Sequence, residues 1–564
     1  PDTFTNMKKL FWLIAPAVIS LASCNSKMNQ FAPEYFMATP NPMEVTAHQI
    51  PVNVTGNVPH KFFPKNAVLT VTPYLVYGDK ELATTPFVYQ GEDVRGNNNV
   101  ISYERGGLMT MPMNFPYEDE MRSSKLELGF KVDQNGKQYD LPRVKVASGV
   151  VATSTLASAG SVDPAVTPDK FQRIINEKYS ADIRFLINQA NVRQSELSSS
   201  EVVNLNKVLN DANEDTFREI RELNISSYAS PEGGIDINTK LAENREKSTT
   251  EYLRNQLKKD KITEFGELTA QFTPEDWEGF SQLVSKSNIQ DKELILSVLS
   301  MYNDPEQRER EIRNLSHVFE QLADEILPQL RRSRITASID VVGKSDNEIS
   351  YFFDHEPNTL NVEELLYAAT LTDDPNRQAA IYDYTTETFP NDYRAYNNLG
   401  MLQYQAGDYE AAAENFNKAA SLAPASAEVK MNQGLVSLAN NNYNAAKEAF
   451  GYAGSVDNVG EALGVYYLET GDYNAAVKSF GDSKSNNAAL AQILTGDYAS
   501  AKNTLESIAK PDATTYYLKA VAAARTSNSA GVLSNINRVK ELDPELAKKA
   551  STDLEFRRYL NLGI

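Results

Sequence analysis

The chain has 564 residues, of which 41% are hydrophobic and 23% charged, with a formal net charge of -20. That length exceeds a single ordinary core and implies three or more soluble globular domains. The acidic balance excludes a nucleic-acid grip and passive docking on anionic lipid; one cysteine, Cys24, excludes an internal disulfide framework.

The first element is a leader, "MKKLFWLIAPAVISLASC", Met7 to Cys24. Lys8 and Lys9 form a basic start, Leu10 to Ile19 a short apolar stretch, and Ala22 and Ser23 a small-residue end. The apolar stretch is shorter than the roughly 20 residues of a spanning helix, so it reads as a secretory signal. "LASC", Leu21 to Cys24, resembles the bacterial lipobox, which implies that Cys24 is lipidated and becomes the new N-terminus. Pro1 to Asn6 then lie upstream of the true start. Asn25, where an aspartate would retain the protein inside, implies sorting to the outer membrane. Surface-exported lipoproteins tend to carry acids just after the cysteine, and "NSKMNQ" has none, so the lipoprotein resemblance implies the periplasmic face over the cell surface.

Residues 25–44 read as a polar tether, and 45–156 as an all-β domain. "AVLTVTPYLVY" and "KLELGFKV" alternate apolar and polar residues, as half-buried strands do. Asn135-Gly136 sits between two such runs and predicts a hairpin with a type I′ turn. A small β-sandwich is expected. "ASAGSVDPAVTP", 157–168, is a small-residue linker. Between 169 and 344 strand and helix alternate. "ADIRFLINQANV" reads as a strand, and "SSEVVNLNKVLNDA" as a helix capped near Ser199 or Ser200. "IRELNISSYAS" is a second strand, "NTKLAENREKSTTEYLRNQLKK" a long amphipathic helix, "ELTAQFTPEDW" a third strand and "RRSRITASIDVV" the last.

This order, with "YASPEG", "LAENR" and "YL", resembles the OmpA-like peptidoglycan-binding domain. Its helix signature is met by Asn238, Leu241 and Arg245, and its arginine-rich last strand by Arg331, Arg332 and Arg334. Residues of about 275–314 form a helical insertion. The turn, "EDW" and "LRRSRI", followed by helical repeats, are similar to outer-membrane lipoproteins of Bacteroidota. The resemblance implies a site for the stem peptide of peptidoglycan, where an aspartate holds the amine and the helix arginine the carboxylate of diaminopimelate. Arg245 is present, but the aspartate's position holds Ser230. Glu232, two residues on, is the substitute carboxylate, and Gly233 and Gly234 ease the turn. Weak wall binding held mainly by Arg245 is the expectation. The alternative is that Arg245 pairs with Glu243 or another acid.

Residues 357–564 are a repeat array. "AYNNLGMLQYQAGDYEAAAENFNKAASLAP" fits the tetratricopeptide (TPR) pattern, and the family's 34-residue period carries Gly400, Tyr409, Ala412, Phe416 and Ala419 onto Gly434, Tyr443, Ala446, Phe450 and Ala453. One period earlier, Pro390 matches Pro424, and Tyr382 stands for Phe416. Later copies, "LETGDYNAAVKSF" and "ILTGDYASAKNTL", are shorter. Stacked hairpins make an all-α solenoid with a concave face for protein partners. His48, His60, His317 and His355 are too scattered to share a metal, and no nucleophile elbow, phosphate loop or zinc helix is present. No cofactor, metal or enzymatic activity is expected. The expected protein is an outer-membrane lipoprotein that joins a weak peptidoglycan grip to a scaffold for an envelope protein. The alternatives are an accessory scaffold of an outer-membrane secretion or assembly complex without wall binding, or a surface antigen.

Overall fold

Strand alternation builds the N-terminal part as the sequence predicts. Ala67–Tyr77 alternates buried and half-buried positions along its whole length. It lies between Lys125–Gln134 and Phe87–Gln90 in a six-stranded sheet ordered Lys137–Ser148, Lys125–Gln134, Ala67–Tyr77, Phe87–Gln90, Asn99–Val100, with Lys80–Ala83 beside Ala67–Tyr77. Asn135 and Gly136 turn between Gln134 and Lys137 with φ of 55° and 78°, the left-handed geometry that a type I′ hairpin requires. A second sheet, ordered Phe36–Thr39, Gln49–Val58, Gly107–Pro116, shares one hydrophobic core with the first.

This is the fold of a computed structural model, which describes residues 27–562. The leader and Cys24 lie outside the described residues. The expected tether over 25–44 is corrected by its own apolar residues. Met28 and Phe31 are buried, Phe31 stacks on Phe130 at 4.5 Å, and Phe36–Thr39 is a strand.

The described residues form two compact units, divided at Thr167/Pro168 and at Phe389/Pro390. In the first, the β-region is continuous with the helical repeats, so these are not two separate domains. The repeats run as helix pairs: Tyr393–Gln405 with Tyr409–Leu422, Ala427–Ala439 with Tyr443–Gly451, Val459–Glu469 with Tyr473–Phe480, Asn486–Leu494 with Tyr498–Glu506, and Ala513–Arg525 with Ser529–Leu542. Each second helix is capped by an Asp or Asn side chain: Asp408, Asn442, Asp472, Asp497 and Asn528. Paired helices close where glycine meets phenylalanine. A β-carbon on Gly434 would stand 2.5 Å from the Phe450 ring, and Gly400 and Gly464 meet Phe416 and Phe480 in the same way. The C-terminal residues close the unit against the β-region: Thr153 Oγ1 donates to Glu555 at 2.7 Å, and Glu555 pairs with Arg525.

The second unit is a four-stranded sheet in the order Ile174–Arg184, Arg332–Val342, Arg218–Tyr228, Glu267–Thr273. Only the last pair is parallel. The helices Ser200–Glu214 and Ile235–Lys259 bury Val202, Leu205, Leu209, Leu253 and Leu257 in its core. Ser199 is the N-cap, accepting from the Val202 amide. The first strand is shorter at its C-terminal end than "ADIRFLINQANV" suggests. Its ladder stops at Arg184 opposite Arg332, Phe185 turns into the core, and Asn188 takes φ of 55°. The inserted helices run past the expected boundary near 314, to Leu330, because Val318, Leu322, Leu327 and Leu330 complete a separate core with Phe280, Val284 and Ile295. The helices Asp346–His355, Val362–Ala368 and Pro375–Thr388 fall in this unit, so the repeat array of the first unit begins near 390 and not at 357.

Candidate functional site

The residues expected to face a ligand in the second unit do come together. The strand Arg218–Tyr228 ends at a turn carrying Ser230 and Glu232, and the helix Ile235–Lys259 carries Asn238 and Arg245. Their hydrogen bonds, however, close on the chain itself. Arg245 is 1% exposed. Its guanidinium donates from Nε to the Gln189 carbonyl at 3.0 Å, from Nη1 to the Tyr228 carbonyl at 2.9 Å and from Nη2 to the Leu186 carbonyl at 3.3 Å. Burial, with Arg331 nearby, pulls its pKa down to about 10 against the opposing pull of Glu232. A charge held among neutral carbonyls loses its water without gaining a counter-ion.

Glu232 is the carboxylate beside Ser230, whose hydroxyl donates to it at 2.7 Å. Both its oxygens are taken by Arg331 in a two-pronged pair, 2.7 and 2.8 Å. Glu243, the other acid considered for Arg245, accepts instead from Lys247 four residues on. Asn238 fastens the turn, donating to the Gly233 carbonyl at 2.7 Å. The remaining arginines of the last strand are spent likewise, Arg332 on Asp276 and Arg334 on Asp182. Among the described residues no three His, Cys, Asp or Glu side chains gather as metal ligands.

A second site lies outside the sequence expectations. The segment read as a linker runs along the first helices of the repeats, with a short 3-10 turn at Ala159–Ser161. Asn398 accepts from the Thr167 amide at 2.9 Å and donates to the Thr167 carbonyl at 3.0 Å. Asn432 does the same for Ala165, both at 2.7 Å, and Asn487 for Ser158, both at 3.0 Å. A carboxamide has one acceptor and two donors, so one side chain satisfies both main-chain groups of one residue. Asn397 adds a bond to the Ala165 carbonyl, Asn458 one to Asp163 and the Tyr404 hydroxyl one to Ala159. These are nine bonds of about 0.5–1.5 kcal/mol each, six of them in the three two-way clamps, before the burial of Ala159, Val162 and Ala165 in the repeat core is counted.

The sequence carries a signal for these asparagines. Asn398, Asn432 and Asn487 each stand two residues before a small residue at the helix crossing, Gly400, Gly434 and Ala489, all buried positions of first helices. A polar residue recurring at a buried repeat position needs a partner.

Residues 393–426 match the family model described as "Tetratricopeptide repeat". No curated protein matches the chain. Among solved structures, a tetratricopeptide repeat protein from Parabacteroides merdae ATCC 43184 is 16% identical over 36% of this chain and 88% of its own, with a TM-score of 0.30. Pseudomonas aeruginosa pilF is 17% identical over 39% of this chain and 100% of its own, TM-score 0.29. YrrB, described as a TPR protein with an unusual peptide-binding site, is 19% identical over 31% and 98%, TM-score 0.23. The C-terminal repeats are of the tetratricopeptide type, a protein-interaction scaffold.

Proposed function

We propose that the protein is a non-enzymatic, lipid-anchored scaffold of the bacterial cell envelope. Cys24 carries the lipid, the chain hangs from the outer membrane into the periplasm, and the repeats hold a protein of an outer-membrane secretion or assembly complex. The observation that carries this reading is the helical array with its tetratricopeptide match, since stacked hairpins present extended surfaces to other proteins. The leader Met7 to Cys24 supports the address.

The second unit supports kinship with OmpA-like domains through its strand and helix order and the Asn238, Leu241, Arg245 spacing. Gripping a stem peptide would need an arginine and a carboxylate turned to the ligand. Ser230 brings no charge, Glu232 is committed to Arg331, and Arg245 to three carbonyls. These commitments favour a scaffold without wall binding over a tether.

The test is affinity purification of the tagged full chain from cross-linked envelopes, with and without prior digestion of the wall by a muramidase. The scaffold reading expects the same protein partners in both. Recovery of muropeptides alone, or loss of every partner on digestion, would overturn it.

A further inference from the structure

The concave face of a repeat array is where a partner would be sought, and here it is filled. Its contents are the chain's own residues 158–167, running from the fourth helix pair back to the first. Three properties set this contact apart from ordinary core packing.

The first is that it is read through the main chain. Asn398, Asn432 and Asn487 each grip the amide and carbonyl of one residue, and they sit at repeat-equivalent positions. Such clamps accept any chain that can lie extended. Pro164 and Pro168 keep the residues before them out of helical conformation. The second is that the groove selects by size. Ala159, Val162 and Ala165 point inward, whereas Asp163 and Val166 are exposed. A β-carbon at Gly160 would stand 2.5 Å from the Tyr409 hydroxyl. The third concerns what departure would leave behind. The asparagines are 0–2% exposed with the segment in place. On an open concave face water would replace the segment's bonds, so no carboxamide would be stranded in a dry core.

We propose that the concave face is a peptide-binding site whose resident ligand is the tethered segment 158–167. The segment holds the site closed until an extended, small-residue, proline-containing peptide of the same class displaces it. The proposal rests on the scaffold reading only for the existence of such a partner. A ligand on a short tether competes at an effective concentration on the order of millimolar, so a free peptide of micromolar affinity is largely shut out.

The experiment uses the full chain and a fluorescently labelled synthetic peptide with the sequence of Ala157 to Pro168, followed by anisotropy. The double variant Val162→Glu, Ala165→Glu places two charges in the groove and should expel the segment. The expected result is peptide capture about a hundredfold tighter than by the wild type, and loss of most of that gain when Asn432→Ala is added. Equal capture by wild type and variant, or none by the variant, overturns the proposal. Should the double variant not fold, Gly160→Leu serves: it should raise capture at least several-fold, and a variant no better than wild type is equally fatal. Neither measurement involves an envelope partner, so failure here leaves the scaffold reading standing, and failure there leaves this one.

Discussion

The cluster around Arg245 and the groove around Asn432 are both satisfied from within the chain, but by different kinds of partner. Arg245 is held by carbonyls of Leu186, Gln189 and Tyr228, at the edge of the sheet that forms the unit's core. Tyr228 ends a central strand of that sheet, and Leu186 and Gln189 lie in the turn that follows its first strand. Asn432 is held by Ala165, part of a ten-residue extended segment with no strand or helix of its own beyond a short 3-10 turn at Ala159–Ser161. A ligand-like arrangement of residues thus has two fates. A closed charge cluster has become structure, whereas a groove closed by a removable segment keeps the chemistry of a site.

Arg245→Ala is expected to have the largest effect. It removes three charge-assisted hydrogen bonds to carbonyls of the unit, at roughly 1.5–3 kcal/mol each. The second unit should therefore lose most of its stability, read as a lower denaturant midpoint for exchange of the sheet amides. A ligand-facing arginine would leave that midpoint unchanged, and such a result would make Arg245 a site residue and not a structural one. Ser230→Asp sharpens the same point. It restores the acid of the wall-binding pattern, yet retention of the full chain on purified sacculi should stay at background, because Arg245 is buried with its guanidinium bonded to three carbonyls of its own unit. Retention that rises with the aspartate would return the tether to first place.

Asn432→Ala comes next. It removes both bonds to Ala165 and should cost about 1–3 kcal/mol, with faster exchange at the Ala165 amide while the Arg245 unit is unaffected. The smallest effect belongs to His48, which pairs with Glu469 in the first unit. The hydrogen bond to Glu469 raises the imidazole pKa above its ordinary 6.5, against burial, with the Glu469 charge adding to the rise. A raised pKa gives stability that is complete below the unfolded value and lost as pH climbs through the folded one. The pair is half-exposed and contributes about 0.2–1 kcal/mol. The melting temperature of the first unit should fall slightly as pH rises above the ordinary imidazole pKa of 6.5 and through the raised folded one, and His48→Gln should flatten that slope.

Much of the fold was legible because periodicity is local. The alternation of Ala67–Tyr77 and the Asn135-Gly136 turn follow from neighbours a few residues apart, and the recurrence of Gly434 against Phe450 from a fixed repeat period. What was not legible depended on distance along the chain. Nothing near Gln189 announces that its carbonyl receives Arg245, 56 residues later. Small residues at 157–168 read as a linker because their partners lie more than 200 residues on, at Asn398, Asn432 and Asn487. Met28 and Phe31 were assigned to a tether for the same reason: their burial is decided by strands that come later.

The most direct test of the groove is hydrogen exchange on the wild-type full chain, followed at the amides of Ser158, Ala165 and Thr167. These three amides each donate to an asparagine carboxamide. The account predicts that they exchange far more slowly than an exposed turn such as Asn135-Gly136. Exchange as fast as that turn would contradict it, because the segment would then be a free linker and the groove open.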